Sequence, residues 1–173
     1  MTEVTTKQLA ERTAELHAGD DILLSGTIYT ARDAAHKRLV QLIEEKEPLP
    51  FELKGAVIYY CGPTPAPPGM VIGSCGPTTS SRMDPYTPRL YSLGLAATIG
   101  KGRRSAGVLS AIQKSKGYYL CALGGCGALI AGCVKSSEIV AFEDLGCEAV
   151  RKLEVEKMPL IVGIDPTGAA AMK

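Results

Sequence analysis

The chain lacks an excess of either charge: its 19 Lys and Arg stand against 18 Asp and Glu over 173 residues. That balance excludes the broad positive field that a nucleic acid or an anionic membrane surface would need as a partner. It also lacks a long apolar run, with nothing near the roughly 20 residues of a membrane span. Met1–Asp21 carries Glu3, Lys7, Glu11, Arg12 and Glu15 where a signal peptide would keep an uninterrupted apolar stretch. A cytoplasmic protein with no membrane partner is expected. Metal-ligand spacing is absent too. Of the six cysteines (61, 75, 121, 126, 133 and 147), no two form a Cys-x-x-Cys pair, and Cys126 and Cys133 are seven apart. Most sit in apolar surroundings such as Tyr118–Leu123 and are expected as buried thiols, while Cys61, Cys75 and Cys126, flanked by Gly or Pro, are placed near a site. There is no internal repeat and no long linker, and 46% hydrophobic residues suffice for one core. A single domain over residues 1–173 is expected.

What is present is an alternation of short elements. Thr5–Leu16 reads as a helix capped at Thr5 or Thr6, and Asp21–Tyr29 as a strand. Thr30–Glu45 reads as a helix with Ala35, Leu39, Leu42 and Ile43 along one stripe. Lys54–Cys61 is an apolar run of strand length. It is stopped by Gly62–Gly69, whose four prolines make a stiff loop. Met70–Cys75 is expected as a short strand, Pro88–Leu95 as a helical turn and Ala96–Ile99 as a buried strand. Ser105 begins a helix that Gly117 stops. Strands follow at Tyr118–Leu123, Ile139–Phe142, Val150–Val155 and Pro159–Asp165, with a small-residue helix over Ala128–Val134. The tail Gly168–Met172 reads as frayed. The order predicts a three-layer α/β domain.

The chemistry concentrates between Ser74 and Arg104. Gly76-Pro-Thr-Thr-Ser-Ser-Arg-Met-Asp84 is a tight, hydroxyl-rich turn, and Gly100-Lys-Gly-Arg-Arg104 lies between a strand and a helix. Arg82 and Lys101 can each give charge-assisted hydrogen bonds to an anion set against that turn. The start of the following helix adds free N–H groups and the positive end of its dipole, which Arg103 or Arg104 would reinforce. A carboxylate-binding site is the reading. Plainer roles stand beside it. Arg82 and Asp84 could clasp one another, Thr78, Thr79, Ser80 and Ser81 could serve the backbone, and Arg32, Asp33 and His36 could merely open a helix. Asp165 is placed as a turn former, and Tyr59-Tyr60 and Tyr118-Tyr119 as strand pairs with one ring in and one out.

Five segments in one order carry a family resemblance: Leu24–His36, Tyr60–Pro65, Gly76–Asp84, Gly100-Lys-Gly102 and Pro159–Asp165. The chain resembles the beta subunit, or C-terminal domain, of class I fumarate hydratases and L-tartrate dehydratases. The resemblance implies a swivelling β/β/α domain docked on an alpha subunit that holds a [4Fe-4S] cluster through its own cysteines, with no metal ligand supplied by this chain. By the same resemblance Arg32, Arg82 and Lys101 bind the carboxylates of a dicarboxylate substrate, and Thr78 takes part in proton transfer. Fumarate hydration to L-malate is the expected reaction, with tartrate dehydration to oxaloacetate or a stand-alone anion-binding module as alternatives. Ser80-Ser81 stands where relatives often have Ala-Gly, so the choice of substrate stays open. The assembly is expected as α2β2, and the isolated chain as a homodimer through the surface meant for its partner.

Overall fold

The computed structural model describes residues 1–171. Four parallel strands, β1 (Thr2–Thr5), β2 (Asp21–Thr30), β3 (Val57–Tyr59) and β4 (Ala97–Gly100), run beside a fifth parallel strand, β5 (Tyr118–Cys121). Two antiparallel strands follow, β6 (Val134–Ala141) and the fifteen-residue β7 (Val150–Ile164). β7 pairs with β5 on one side and returns to β2 on the other, through Asp21 opposite Ile161 to Tyr29 opposite Lys152. The ring β2-β3-β4-β5-β7 therefore closes. The protein is mixed α/β, with its sheet drawn into a small barrel and β1 and β6 attached outside the ring.

Five helices complete the described chain: α1 (Thr6–Ala10), α2 (Asp33–Glu45), α3 (Thr87–Ser92), α4 (Ala106–Ser115) and α5 (Gly127–Cys133). None is long and apolar enough to cross a membrane among the described residues. The hydrophobic residues sort into two clusters. One draws on every strand of the ring, with Ile22, Leu24, Ile28, Val57, Tyr59, Ile99, Leu120, Leu153 and Val162. The other joins the opposite face to the helices, through Ile58, Tyr60, Tyr119, Leu39, Leu90, Tyr91, Val108 and Ile112. Alternation along each strand makes this division, since successive side chains point to opposite faces. Both rings of Tyr59-Tyr60 and of Tyr118-Tyr119 are consequently buried, one in each cluster, and neither pair turns a ring outward as the sequence suggests. Central parallel strands covered on both faces read as unbroken apolar runs for this reason.

The structure corrects several expected boundaries. The first helix ends at Ala10, preceded by a strand, although Thr5 does cap it with a reciprocal Gln8 bond. It stops because Arg12 adopts φ 59° and turns its guanidinium onto the carbonyls of Leu95 and Ala96 at 3.2 Å. Met70–Cys75 is irregular and joins no strand: Thr64 N–H donates to Ser74 O and Cys75 N–H to Gly127 O, which ties the segment to the proline loop and to α5. The last two expected strands are one, β7, in which Lys157 at φ 52° and a register shift near Gly26 absorb Pro159 opposite Leu23. The tail does not fray through Ala171. Ala170 bridges Ile164, and Ala171 N–H donates to Gly163 O; Met172 lies outside the described residues.

Candidate functional site

The carboxyl ends of β2, β3, β4 and β5 lie side by side, because the four strands are parallel and adjacent. Ligands in parallel sheets bind at that edge, where the chain leaves each strand as a loop. Arg32 follows β2 as the extended residue that starts α2. Tyr60-Cys61-Gly62 follows β3, and Lys101 follows β4. The Gly76–Asp84 motif is carried to the same edge by backbone pairing. Thr78 N–H donates to Tyr60 O at 2.7 Å, Thr79 bridges Lys101, and Ser80 N–H donates to Lys101 O at 2.9 Å. A 3-10 turn over Ser80–Met83 then presents Arg82.

Glycine is needed where these loops touch. A Cβ at Gly100 would lie 2.0 Å from Ser80 Oγ and 2.8 Å from the Tyr60 ring, so any side chain there would push the two loops apart. At Gly62 a Cβ would meet the Arg32 side chain at 3.1 Å. The Arg32 side chain lies along the bare backbone of Gly62.

Two pairings result. Arg32 and Arg82 approach the same carboxylate: Arg82 Nε donates to Asp33 Oδ1 at 2.9 Å, and Arg32 Nε is 3.9 Å from Asp33 Oδ2 and 3.7 Å from Glu148 Oε1. Arg82 is half exposed, and Arg32 Nε, Asp33 Oδ2 and Glu148 Oε1 are buried without a hydrogen-bond partner. The two guanidiniums thus keep donors uncommitted. The second pairing is of loops: the Thr79–Lys101 bridge joins the loop that carries Thr78 to the one that carries Lys101, and Lys101 also lines a hollow of about 230 Å³ with Leu123 and Gly124. A cavity of about 460 Å³ between α3 and α4 is lined by Pro88, Tyr91, Ser110 and Lys114 and includes none of these residues.

Several expected roles change. Arg82 and Asp84 do not clasp one another, since Asp84 Oδ1 accepts from Arg104 Nε at 2.7 Å instead. Asp84 Oδ2 accepts from Ser105 N–H at 2.7 Å, so the start of α4 already holds a carboxylate and is not an open anion site. Arg104 is fully buried. Burial works to lower its pKa, but Tyr60, Tyr91 and Asp84 outweigh it and the net direction is upward. His36 is buried between Tyr60 and Tyr86, its Nδ1 2.8 Å from Arg32 O, and burial pulls its pKa down to about 4. It is a neutral core residue. Asp165 serves a turn, accepting from Thr167 and from Ala18 N–H; burial pushes its pKa up, yet these bonds carry it below the usual carboxylate value.

Only Cys61, Cys75 and Cys121 are buried, while Cys126 and Cys133 are partly covered and Cys147 is exposed in a turn. The Cys61 and Cys75 sulfurs are 3.1 Å apart, and that bond together with burial pushes the Cys61 thiol up, leaving a poor nucleophile at neutral pH. Among the described residues no group of three or more His, Cys, Asp or Glu is placed to hold a metal ion. The residues of this chain do not fit an iron-sulfur cluster. Sequence reasoning missed Glu148 as a neighbour of Arg32, and nothing in its surroundings, 116 positions along the chain, could have signalled it.

The protein is thus a closed-sheet α/β protein whose parallel carboxyl edge gathers three cations and a hydroxyl-rich turn. The chain belongs to the Fumarase C-terminus family, whose model matches residues 1–173. It is 39% identical to Fumarate hydratase 2 of Leishmania major over 93% of its own length and 29% of that protein. It is 38% identical to the aerobic class I fumarate hydratase of Escherichia coli K12 over 94% of its length and 30% of that protein. A Methanocaldococcus jannaschii protein provisionally named L(+)-tartrate dehydratase subunit beta is 39% identical and is covered over 89% of its length. The chain thus spans less than a third of the fumarate hydratases and most of the archaeal subunit.

Proposed function

We propose that the whole chain acts as one unit, the beta subunit of an iron-sulfur-dependent hydro-lyase, and that it interconverts fumarate and L-malate together with an alpha subunit. The observation that supports this reading is the placing of Arg32, Arg82, Lys101 and Thr78 on three loops of one barrel edge, in a chain of the Fumarase C-terminus family. The swivelling β/β/α arrangement, a cytoplasmic setting and an α2β2 assembly are parts of the same proposal. The [4Fe-4S] cluster belongs to the partner in this reading. This chain's part is binding, orientation and proton handling.

Removing a proton from the carbon beside a carboxylate pushes charge onto that carboxylate, so the reaction gains most from cations that hold it in place. Arg32 and Arg82 suit this task because each guanidinium offers paired donors in a plane, while Lys101 offers a compact charge from the opposite loop. Thr78 is held by its own amide to Tyr60 O, which fixes where its hydroxyl can reach. A threonine hydroxyl is too weak a base at neutral pH to act unaided. Its role is to orient or relay a proton to a stronger group on the partner.

The archaeal relative favours a second reading, because it is a separate polypeptide of nearly this length named as a tartrate dehydratase subunit. The two substrates differ by one hydroxyl, which a pocket built to hydrogen-bond it discriminates strongly. Anaerobic co-expression with a candidate alpha subunit, cluster reconstitution, and assays for fumarate formed from L-malate and for oxaloacetate formed from tartrate test both. Turnover of L-malate needing both chains, with kcat/KM reduced about 100-fold by Arg82→Ala, is the expected result. Turnover of tartrate alone transfers the assignment, and turnover of neither leaves an anion-binding module.

A further inference from the structure

The pair Asp84–Arg104 lies behind the loops that carry Thr78, Arg82 and Lys101, and it contacts neighbours of these three. Arg104 is fully buried and commits four hydrogen bonds: Nε to Asp84 Oδ1 at 2.7 Å, Nη1 to Thr98 Oγ1 at 3.1 Å, and Nη2 to Tyr60 OH at 3.2 Å and Thr87 Oγ1 at 3.0 Å. Its guanidinium also stands 5.3 Å from the Tyr60 ring centre and 4.9 Å from that of Tyr119. Each partner leads to a candidate residue. Tyr60 O accepts from the Thr78 amide, Asp84 ends the turn that holds Arg82, and Thr98 lies in β4, which Lys101 follows. Tyr119 OH donates to Gly102 O at 2.8 Å and lies 2.9 Å from Ser80 Oγ.

We propose that Arg104, held by Asp84, is a positioning residue that fixes the spacing of Thr78, Arg82 and Lys101 without touching substrate. The proposal rests on the hydro-lyase reading for its kinetic consequence and on the geometry alone for its structural one. A planar guanidinium is required: four partners on four separate segments and two flanking rings are met at once by a fork of fixed geometry, and a lysine ammonium cannot reproduce it. Rate losses come from small displacements. A shift of about 1 Å in a group that orients substrate is enough to cost about 100-fold.

Two variants test this in the assembled enzyme with its alpha subunit: Arg104→Lys, and the double substitution Arg104→Met with Asp84→Leu, which leaves no buried charge unpaired. The double variant should keep its Tm within about 4 °C of the parent, while kcat for L-malate falls about 100-fold, more than KM rises. Amide exchange at Thr78 and Ser80 should quicken, with β2 and β7 amides unchanged. A folded double variant with parental kcat overturns the proposal, and so does unchanged exchange at Thr78 and Ser80. Should the double variant fail to fold, Arg104→Lys carries the same two readouts. Should the parent assembly turn over neither malate nor tartrate, the hydro-lyase reading falls, and the exchange pattern decides the positioning role by itself.

Discussion

Two arginine–aspartate pairs flank the Ser80–Met83 turn, and they are built oppositely. Arg104 and Asp84 are enclosed, with every contact satisfied by named partners at 2.7–3.2 Å. Arg82 and Asp33 share one bond at 2.9 Å near the surface, and Arg32 stands beside them without any hydrogen bond from Nε. A buried cation with a full set of partners is fixed in place and unavailable to a ligand. A half-exposed one with spare donors is available, at little stability either way. The contrast separates cations that shape the site from cations that can bind in it, although all of them sit in basic, glycine-rich or hydroxyl-rich stretches.

The largest expected effect breaks the first pair. Asp84→Ala leaves Arg104 charged and alone in the core, which should cost about 3–5 kcal/mol and lower Tm by roughly 10 °C in a chain of this size. Thermal unfolding followed by circular dichroism measures it; a loss below about 1 kcal/mol would mean that the enclosure is not what holds Arg104. The next effect concerns His36, beneath Arg32. Its folded pKa, about 4, lies below the ordinary 6.5, so the unfolded chain binds the proton first and stability falls as pH drops from about 6.5 toward 4. The full loss amounts to roughly 3 kcal/mol. Urea midpoints between pH 7.5 and 4.5 should show this limb, and His36→Gln should flatten it. The smallest effect belongs to the second pair: Asp33→Asn should change the urea-derived stability by less than about 1 kcal/mol, as exposed ion pairs do. A larger loss would erase the distinction between the two pairs.

Much of this was legible in the chain. Apolar runs such as Val57–Tyr60 and Tyr118–Leu120, bounded by Gly and Pro, marked the central strands, and Ser105 marked the start of α4, where its Oγ accepts from Val108 N–H. The motif around Thr78 and Lys101 announced two loops that meet. What stayed hidden was long-range pairing. Nothing local says that β7 returns to β2 and closes the sheet, since antiparallel register is set by partners more than 120 residues away. Nearness in sequence offers Asp84 to Arg82 as one alternative, and the fold gives it to Arg104, which lies 20 positions on. The sequence offers Arg104 as a cation reinforcing an anion at the start of α4, whereas its side chain is buried against Tyr60, just after β3, and Tyr119 of β5.

The closing strand carries one more consequence, in the order of synthesis. The strands β2 to β5 are made first, and each leaves its carboxyl-edge loop anchored only to its neighbours. The ring shuts when residues 150–164 emerge and pair with β2 and β5 at once. Until then β2 and β5 are unprotected edges, the state in which a nascent chain is open to pairing with the wrong partner. A ribosome that slows before Val150 would therefore lengthen the interval in which this protein is most exposed to misassembly.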